Sequence, residues 1–441
     1  MTTFSPFDQT LWHATAKPAP ITSELIGEVH TDVCVVGGGY TGLTTAIELR
    51  KRGHEVVLLE AQEAGFGGSG RNAGHCTPTF SYLTIADLRK RLGTERAGRL
   101  IKRQTMGADM AADFIEKYQI ECEWVQNGYL QGALYPSRMT ALAKKAESYA
   151  AVGSPSTMID ADEAYRLTGT TRFQGGWLLR SGGHLNPLGY ARGLARAAIQ
   201  EGVRLYTQSP MQKAARTGSA WRLSTDKGSI VCDKFIMATG AYTVGADGLG
   251  VENTYRIMRP IVAATNPMPD HVRRKVLPYN GTVHDGRGDL YAWKYNHEGR
   301  IVATMVSLGR RGPDIEYTKT LLMERLRWFY PEIPQSTRWD FFWRGELDMQ
   351  PQTIPRLYAL GPGALACTGL SGRGVPTGTM LGGILADWAE DKPDKDLALP
   401  VERLSKAPAY MSFGPTLRLY WDRVRDGVAS LIDRSELPPR P

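Results

Sequence analysis

Three glycine-rich stretches, far apart in this 441-residue chain, hold the residue types that could grip a nucleotide cofactor. Gly37-x-Gly39-x-x-Gly42, with Tyr40 and Thr41 inside it, stands between the apolar run Asp32–Val36 and a helical pattern. The first glycine permits a tight turn, the second lets backbone approach a pyrophosphate, and the third lets helix and strand pack closely. The helix N-terminus then points free N–H groups at the phosphates. Glu60 closes the next apolar run, where a carboxylate accepts hydrogen bonds from adenosine ribose hydroxyls, and Ala61 follows it. An acid there argues against a 2′-phosphate but leaves FAD and NAD both open. The stretch Gly65–Gly74 comes next, and its Gly68, Ser69, Arg71, Asn72, Ala73 and Gly74 suit a backbone path along a cofactor. Ser69 and Arg71 could reach phosphate oxygens.

The rest of the chain favours FAD. The apolar run Lys234–Ala238 ends in Thr239-Gly240-Ala241-Tyr242, an ending that recurs near the adenine half in FAD proteins of glutathione-reductase architecture. The third stretch, Gly369-Leu370-Ser371-Gly372-Arg373-Gly374-Val375, lies between the buried strand Ala364–Cys367 and a helix starting near Thr377. It too aims N–H groups at something electron-rich. The N1/C2=O edge of an isoalloxazine gains negative charge on reduction and fits that description.

The elements that must position these loops can be read around them. A helix over Leu43–Arg52, stopped by Gly53, and a strand over Glu55–Leu59 complete a βαβ unit of about thirty residues. Residues 83–164 read as mostly helical. Asn186-Pro187 opens a helix over Leu188–Gln200, and Val203–Tyr206 reads as a third strand of the nucleotide-binding sheet. Ala220–Cys232 reads as a hairpin turning at Asp226-Lys227-Gly228, and Met380–Glu390 as a helix. Arg259–Arg344 alternates with period two, which suggests a separate antiparallel sheet. The fold class is therefore α/β: a glutathione-reductase-type Rossmann FAD-binding domain with an inserted substrate domain of antiparallel sheet plus helices. The divisions are an N-terminal arm (1–30), a discontinuous FAD-binding domain (31–82, 187–258 and 355–400), a substrate domain (83–186 and 259–354) and a helical tail (401–441).

Composition removes other classes. No run of eighteen apolar residues exists, so no membrane-spanning helix is expected. The first thirty residues lack a basic start followed by an apolar core, and the five cysteines are scattered, so a cytoplasmic setting is expected. No Cys-x-x-Cys or His-x-x-x-His occurs, which excludes a disulfide reductase and leaves no metal site to expect. The formal charge of +8 allows an anionic partner, but Lys and Arg are spread rather than clustered, so no nucleic-acid partner is expected. Gly245-Ala246-Asp247-Gly248 mimics a segment of aromatic hydroxylases but has no strand–helix context of its own.

The motifs together resemble the D-amino-acid oxidase / sarcosine oxidase superfamily, closest to its γ-glutamylputrescine oxidase branch. Leu11–Ala16, Asp32–Leu43, Gly68–Asn72, Asn186-Pro187, Ala238–Tyr242, Trp343-Arg344-Gly345 and Gly369–Gly374 carry the resemblance, leaving the last forty residues unmatched. It implies FAD-dependent oxidation of the C–N bond of a small amine or amino acid to an imine, with O2 as the acceptor. A flavin subunit passing electrons to a partner protein or quinone is the alternative. Two departures stand near the expected flavin face: Ala73-Gly74-His75-Cys76, where relatives carry Gly-Gln or Gly-Gly, and Gly372-Arg373-Gly374, where the close branch carries Gly-His-Gly. Some members attach the flavin through a His or Cys, which raises His75 and Cys76 as attachment points. Their His sits in a different local motif, so a non-covalent flavin and a polar role for His75 are expected. Tyr291, Trp293 and Tyr295, and likewise Trp339, Phe341 and Trp343, are expected either to form an aromatic wall over the flavin or to pack as core. Lys294 and Arg344 are candidates to grip a substrate carboxylate, and His75, Lys294, Arg344 and Arg373 complete the candidate catalytic set.

Overall fold

The computed structural model describes residues 6–243, 249–288, 290–306, 314–351 and 353–439. The hydroxylase-like Gly245–Gly248 segment lies outside the described residues. A nine-stranded sheet runs, edge to edge, Val401–Arg403, Arg356–Gly361, Ala364–Thr368, Gly228–Met237, Gly27–Val36, Val56–Leu59 and Arg204–Tyr206. Gly27–Val36 sits between two parallel neighbours, Gly228–Met237 and Val56–Leu59. Its last four residues, Val33–Val36, are all buried, which is why they read as an unbroken apolar run. Two further strands extend the sheet: Ala220–Ser224 pairs antiparallel with Gly228–Met237, and Lys213–Thr217 antiparallel with Ala220–Ser224. The hairpin arm and the following buried strand of the sequence reading are thus one continuous ten-residue strand. The sheet also reaches beyond the expected boundaries, with one strand starting at Gly27 and another at Val401–Arg403.

Helix Tyr40–Lys51 packs on this sheet beside helices Pro187–Gln200 and Gly374–Ala389. Asn186 opens the second of these by accepting the N–H of Gly189 at 3.0 Å, with Pro187 at the first helical position. Close approach is set by small residues: a Cβ on Gly382 would stand 2.7 Å from Thr44.

The second sheet has eight strands, in the order Trp339–Arg344, Ile261–Thr265, Ile301–Met305, Tyr291–Tyr295, Thr282–His284, Tyr129–Gly132, Gly175–Leu179 and Ser156–Asp160. It corrects the sequence reading twice. Three of its strands come from residues 129–179, partly inside a stretch read as mostly helical; they are short and partly glycine, so their periodicity is weak. The sheet is also not wholly antiparallel, because Thr282–His284 pairs parallel to Tyr129–Gly132. Helix Ile315–Phe329, within the period-two stretch, covers its outer face. Tyr291 and Trp293 pack there on Phe329, with Trp293 4.5 Å from its ring centre, and Trp293 Nε1 donates to Tyr330 Oη at 3.0 Å. These aromatics are core, not a wall over a cofactor.

Helix Gly414–Ile432 closes the molecule near the chain end. One side turns inward through Leu419, Asp422 and Asp426, while Leu417, Trp421, Val424, Val428, Leu431 and Ile432 are exposed.

Candidate active site

One cavity of about 1250 Å³ opens between the two sheets and touches all three glycine-rich stretches. That exceeds the roughly 300–1,000 Å³ of an ordinary ligand pocket, leaving room for a large cofactor and a second molecule. At one end lie Gly37, Gly39, Tyr40 and Thr41, the start of helix Tyr40–Lys51. Gly37 has φ +111°, and a Cβ there would stand 2.8 Å from Ala238 O. Gly42 is one turn in, and its Cβ would meet Gly37 O at 1.9 Å, so only glycine lets the helix enter this close to the strand. The first-turn N–H groups of such a helix have no intrahelical partners and favour an anion.

Glu60 lines the same end with Ala61. Its carboxylate accepts N–H of Gly38 at 2.6 Å and of Gln62 at 2.8 Å, while burial raises its pKa against those bonds. Ser69 Oγ accepts the N–H of Tyr40 at 3.0 Å, and Tyr40 Oη donates back to Ser69 O at 2.6 Å. Asn72 Nδ2 donates to Gly68 O and Ser69 O, and its Oδ1 accepts the N–H of Gly74 at 2.8 Å. Arg71 places its guanidinium over the rings of Phe7 and Phe66, at 5.0 and 4.8 Å. Trp12 Nε1 and Trp343 Nε1 donate to Asn72 O and Arg71 O, both at 2.8 Å, so the N-terminal arm and the second sheet brace this turn. Ser69, Arg71 and Asn72 therefore shape the loop, alongside any contact with phosphate.

The third stretch forms the opposite wall. Gly372, Arg373 and Gly374 line the cavity at the start of helix Gly374–Ala389, whose N-cap is Arg373. The buried Asp348 carboxyl accepts the N–H of Gly369 at 2.5 Å, and burial lifts its pKa to about 6. Thr239 and Gly240 also line the cavity. Gly42, Gly74, Gly369 and Val375 stand behind the lining.

His75 lines the middle of the cavity. Its Nδ1 bonds to Thr282 Oγ1, while its Nε2 is buried without a hydrogen-bond partner among the described residues. Burial, with Lys294 and the neighbouring histidines, holds its pKa well below the usual imidazole value, so the ring is neutral. Cys76 is fully buried and outside the lining, and burial pushes its thiol up, away from the thiolate that covalent attachment needs.

Two candidates do not reach the cavity. Lys294 is fully buried, its Nζ donating to Leu185 O at 3.0 Å and lying over the Trp12 ring at 4.9 Å. It backs onto Gly74, whose Cβ would be 3.2 Å from Nζ, and the carboxylate role expected for it is not supported. Arg344 ends the edge strand beside Ile261, also outside the lining. Alternation along a strand gives the face of a side chain but not what stands in front of it.

In their place the far chamber is lined by residues that no motif marked, among them Tyr129, Gln131, Arg138, Lys145, His284 and Asp422. They come from short strands and two helices and carry no spacing signal. The glycine-lined first turn, the Glu60 carboxylate and the third glycine-rich loop lining one cavity fit FAD.

The family model described as FAD dependent oxidoreductase (DAO) matches residues 32–388. Gamma-glutamylputrescine oxidoreductase of Escherichia coli is 29% identical over 423 residues, 95% of this chain and 96% of that protein. Among solved structures, L-amino acid deaminase from Proteus vulgaris superposes with TM-score 0.70 at 19% identity, covering 87% of this chain and 94% of that one. L-proline dehydrogenase from P. horikoshii gives TM-score 0.70 at 18% identity, covering 85% and 96%.

Proposed function

This chain belongs to the FAD-dependent oxidoreductase family, and from that premise we propose that it oxidises the C–N bond of a small amine or amino acid. The observation that carries the reading is a single cavity running from a dinucleotide cradle to a polar chamber between the sheets. The nine-stranded sheet is read as the glutathione-reductase-type FAD-binding half, and the eight-stranded sheet with its helices as the substrate half.

FAD, when bound, supplies a two-electron acceptor for hydride from the carbon bearing the amine. The chain's own part is positioning. Gly37–Gly42 and Glu60 would hold the adenosine and pyrophosphate, and the N–H groups at the start of the helix from Gly374 would favour the negative charge that the ring gains on reduction. Burial disfavours the charged form of His75, so it adds no positive charge to the cavity. The sheet face with Tyr129, Gln131 and His284 encloses the substrate. Loss of hydride from carbon and a proton from nitrogen leaves an imine, and water then splits it into an aldehyde or keto acid and ammonia or an amine. No strong acid or base is required, provided the amine enters neutral.

O2 is the proposed acceptor. A second reading, transfer to a partner protein or quinone, is favoured by helix Gly414–Ile432, which lines the cavity through Arg418 and Leu419 while its outer face is apolar and exposed. The five cysteines are all free and buried, in keeping with a reducing cytoplasm. Among the described residues no helix is long and apolar enough to cross a membrane.

The test is anaerobic mixing of the yellow protein with γ-glutamylputrescine, putrescine, sarcosine, pipecolate and D- and L-amino acids. Bleaching of the flavin band by one of them supports amine oxidation, and failure of all of them counts against it. Readmitting air separates fast reoxidation by O2 from delivery to another acceptor.

A further inference from the structure

Helix Gly414–Ile432 stands in the fold with its amphipathicity reversed. At about 100° per residue, Leu417, Trp421, Val424, Val428, Leu431 and Ile432, joined by Tyr420, fall on one arc of about 120°, the width that ordinarily faces a core. Here all of them are exposed, Leu431 by 80% and Trp421 by 69%. The opposite side, turned to the protein, carries Leu419, Asp422, Asp426 and Ser430. More than half of the large hydrophobics exposed among the described residues lie between Leu404 and Ile432, so the open apolar surface is gathered on this one segment.

The edges of the arc are basic. Arg418 and Arg425 flank it on one side, and Arg423, over the Tyr420 ring at 5.6 Å, on the other. Asp422 pairs with Arg418 at 3.6 Å and Asp426 with Arg425 at 3.5 Å. The acid side chains are only 7 and 6% exposed, against 59 and 45% for these arginines, so solvent meets the positive ends. The acids that follow, Asp433 and Glu436, are taken up by the Ser137 N–H at 2.9 Å and by Arg172 at 2.7 Å. A second copy laid antiparallel on this arc would set Arg418 and Arg425 against their own counterparts. An anionic phospholipid surface instead answers the basic edges and takes up the apolar arc between them. Tyr420 and Trp421, each an apolar ring with a polar tip, suit the depth of the headgroups.

We propose that this helix docks the protein on an anionic lipid bilayer, lying in the headgroup plane with its apolar arc against the acyl chains. The contact is with the surface and involves no spanning segment. It goes beyond the amine-oxidising reading and holds whichever substrate is oxidised. Because the inner face of the same helix lines the cavity through Arg418 and Leu419, docking sets this wall of the cavity against the membrane.

The test is flotation of the FAD-loaded protein with two kinds of vesicle, phosphatidylcholine alone and a mixture of two parts phosphatidylcholine to one of phosphatidylglycerol. Binding to the mixed vesicles is expected to be at least about tenfold tighter than to phosphatidylcholine alone, and to weaken as salt is added. The double variant Trp421→Ser, Leu431→Ser keeps the net charge and alters only exposed side chains. It is expected to bind the mixed vesicles roughly tenfold or more weakly, with full flavin content and an unchanged melting temperature. No binding to either vesicle overturns the proposal, as does equal binding to both. Undiminished binding of the double variant would assign the attraction to the overall charge of +8 and also overturn it. Sedimentation without lipid tests the second copy. A wild-type dimer that the double variant loses, with vesicles ignored, would make the arc a subunit interface and overturn membrane docking. None of these readouts uses an amine, so they stand or fall apart from the proposed reaction.

Discussion

Single residues set the limits at both ends of the cofactor cradle. A methyl group on Gly42 would fall 1.9 Å from Gly37 O, a backbone atom that cannot yield without moving strand or helix. Gly42→Ala is expected to cost about 1–3 kcal/mol or more and to yield protein depleted in flavin, read as the FAD-to-protein absorbance ratio. Full flavin content would show that the helix can shift. Asp348 makes a pH prediction. Its folded pKa of about 6 lies above the ordinary value of 3.8, so the folded state holds the proton more tightly. The stability this group contributes is complete below about pH 4 and is lost as pH rises to about 6, by roughly 2–3 kcal/mol. Asp348→Asn keeps an acceptor for the Gly369 N–H but cannot titrate. The stability of the variant relative to wild type should therefore rise between pH 4 and 6 and then level off, as followed by urea midpoints. A difference constant with pH would mean that this carboxyl titrates normally. Glu60 was legible in the sequence because it ends a strand at a fixed distance from the glycines. Asp348 was not, because its function depends on meeting a loop twenty-one residues away in the chain.

At the scale of elements, the last helix does two jobs with its two faces. Arg418, Leu419, Asp422 and Arg425 line the cavity, and Asp426 accepts from Tyr135 Oη at 2.8 Å, pinning the helix to the start of helix Pro136–Ala150. Ending the chain after Lys406 removes this wall. The shortened protein is expected to keep FAD, since the dinucleotide cradle lies elsewhere, but to show several-fold faster quenching of flavin fluorescence by iodide. Unchanged quenching would show that the helix does not shield the ring. The strand–loop–helix Gly27–Lys51 was readable because its elements are local and its strand is buried on both faces. The strands of residues 129–179 were not readable. They are five residues or fewer, and what makes them strands is pairing beyond their own neighbourhood: Gly175–Leu179 lies between Tyr129–Gly132 and Ser156–Asp160, and Tyr129–Gly132 joins Thr282–His284 more than a hundred residues on.

At the scale of the whole molecule, cofactor attachment follows from where two neighbouring side chains go. Cys76 is buried away from the cavity, and His75 spends Nδ1 on Thr282. We expect acid precipitation to release all the flavin into the supernatant as FAD. Yellow colour left in the washed pellet would show a covalent bond, and its loss in His75→Ala would place that bond.

The sequence by itself determined the cofactor class and located the cradle proposed for it, because tight turns, helix starts and strand-end acids are local solutions to phosphate and ribose binding. It also carried the family through motifs in fixed order. Only the tertiary structure decided what lines the far chamber. Lys294 and Arg344 sit on suitable strands but end against Leu185 and outside the lining, while Arg138, Lys145 and Arg373 converge from a helix and a remote loop. A cavity wall is a meeting of distant segments, and the spacing within any one of them does not encode which others it will face.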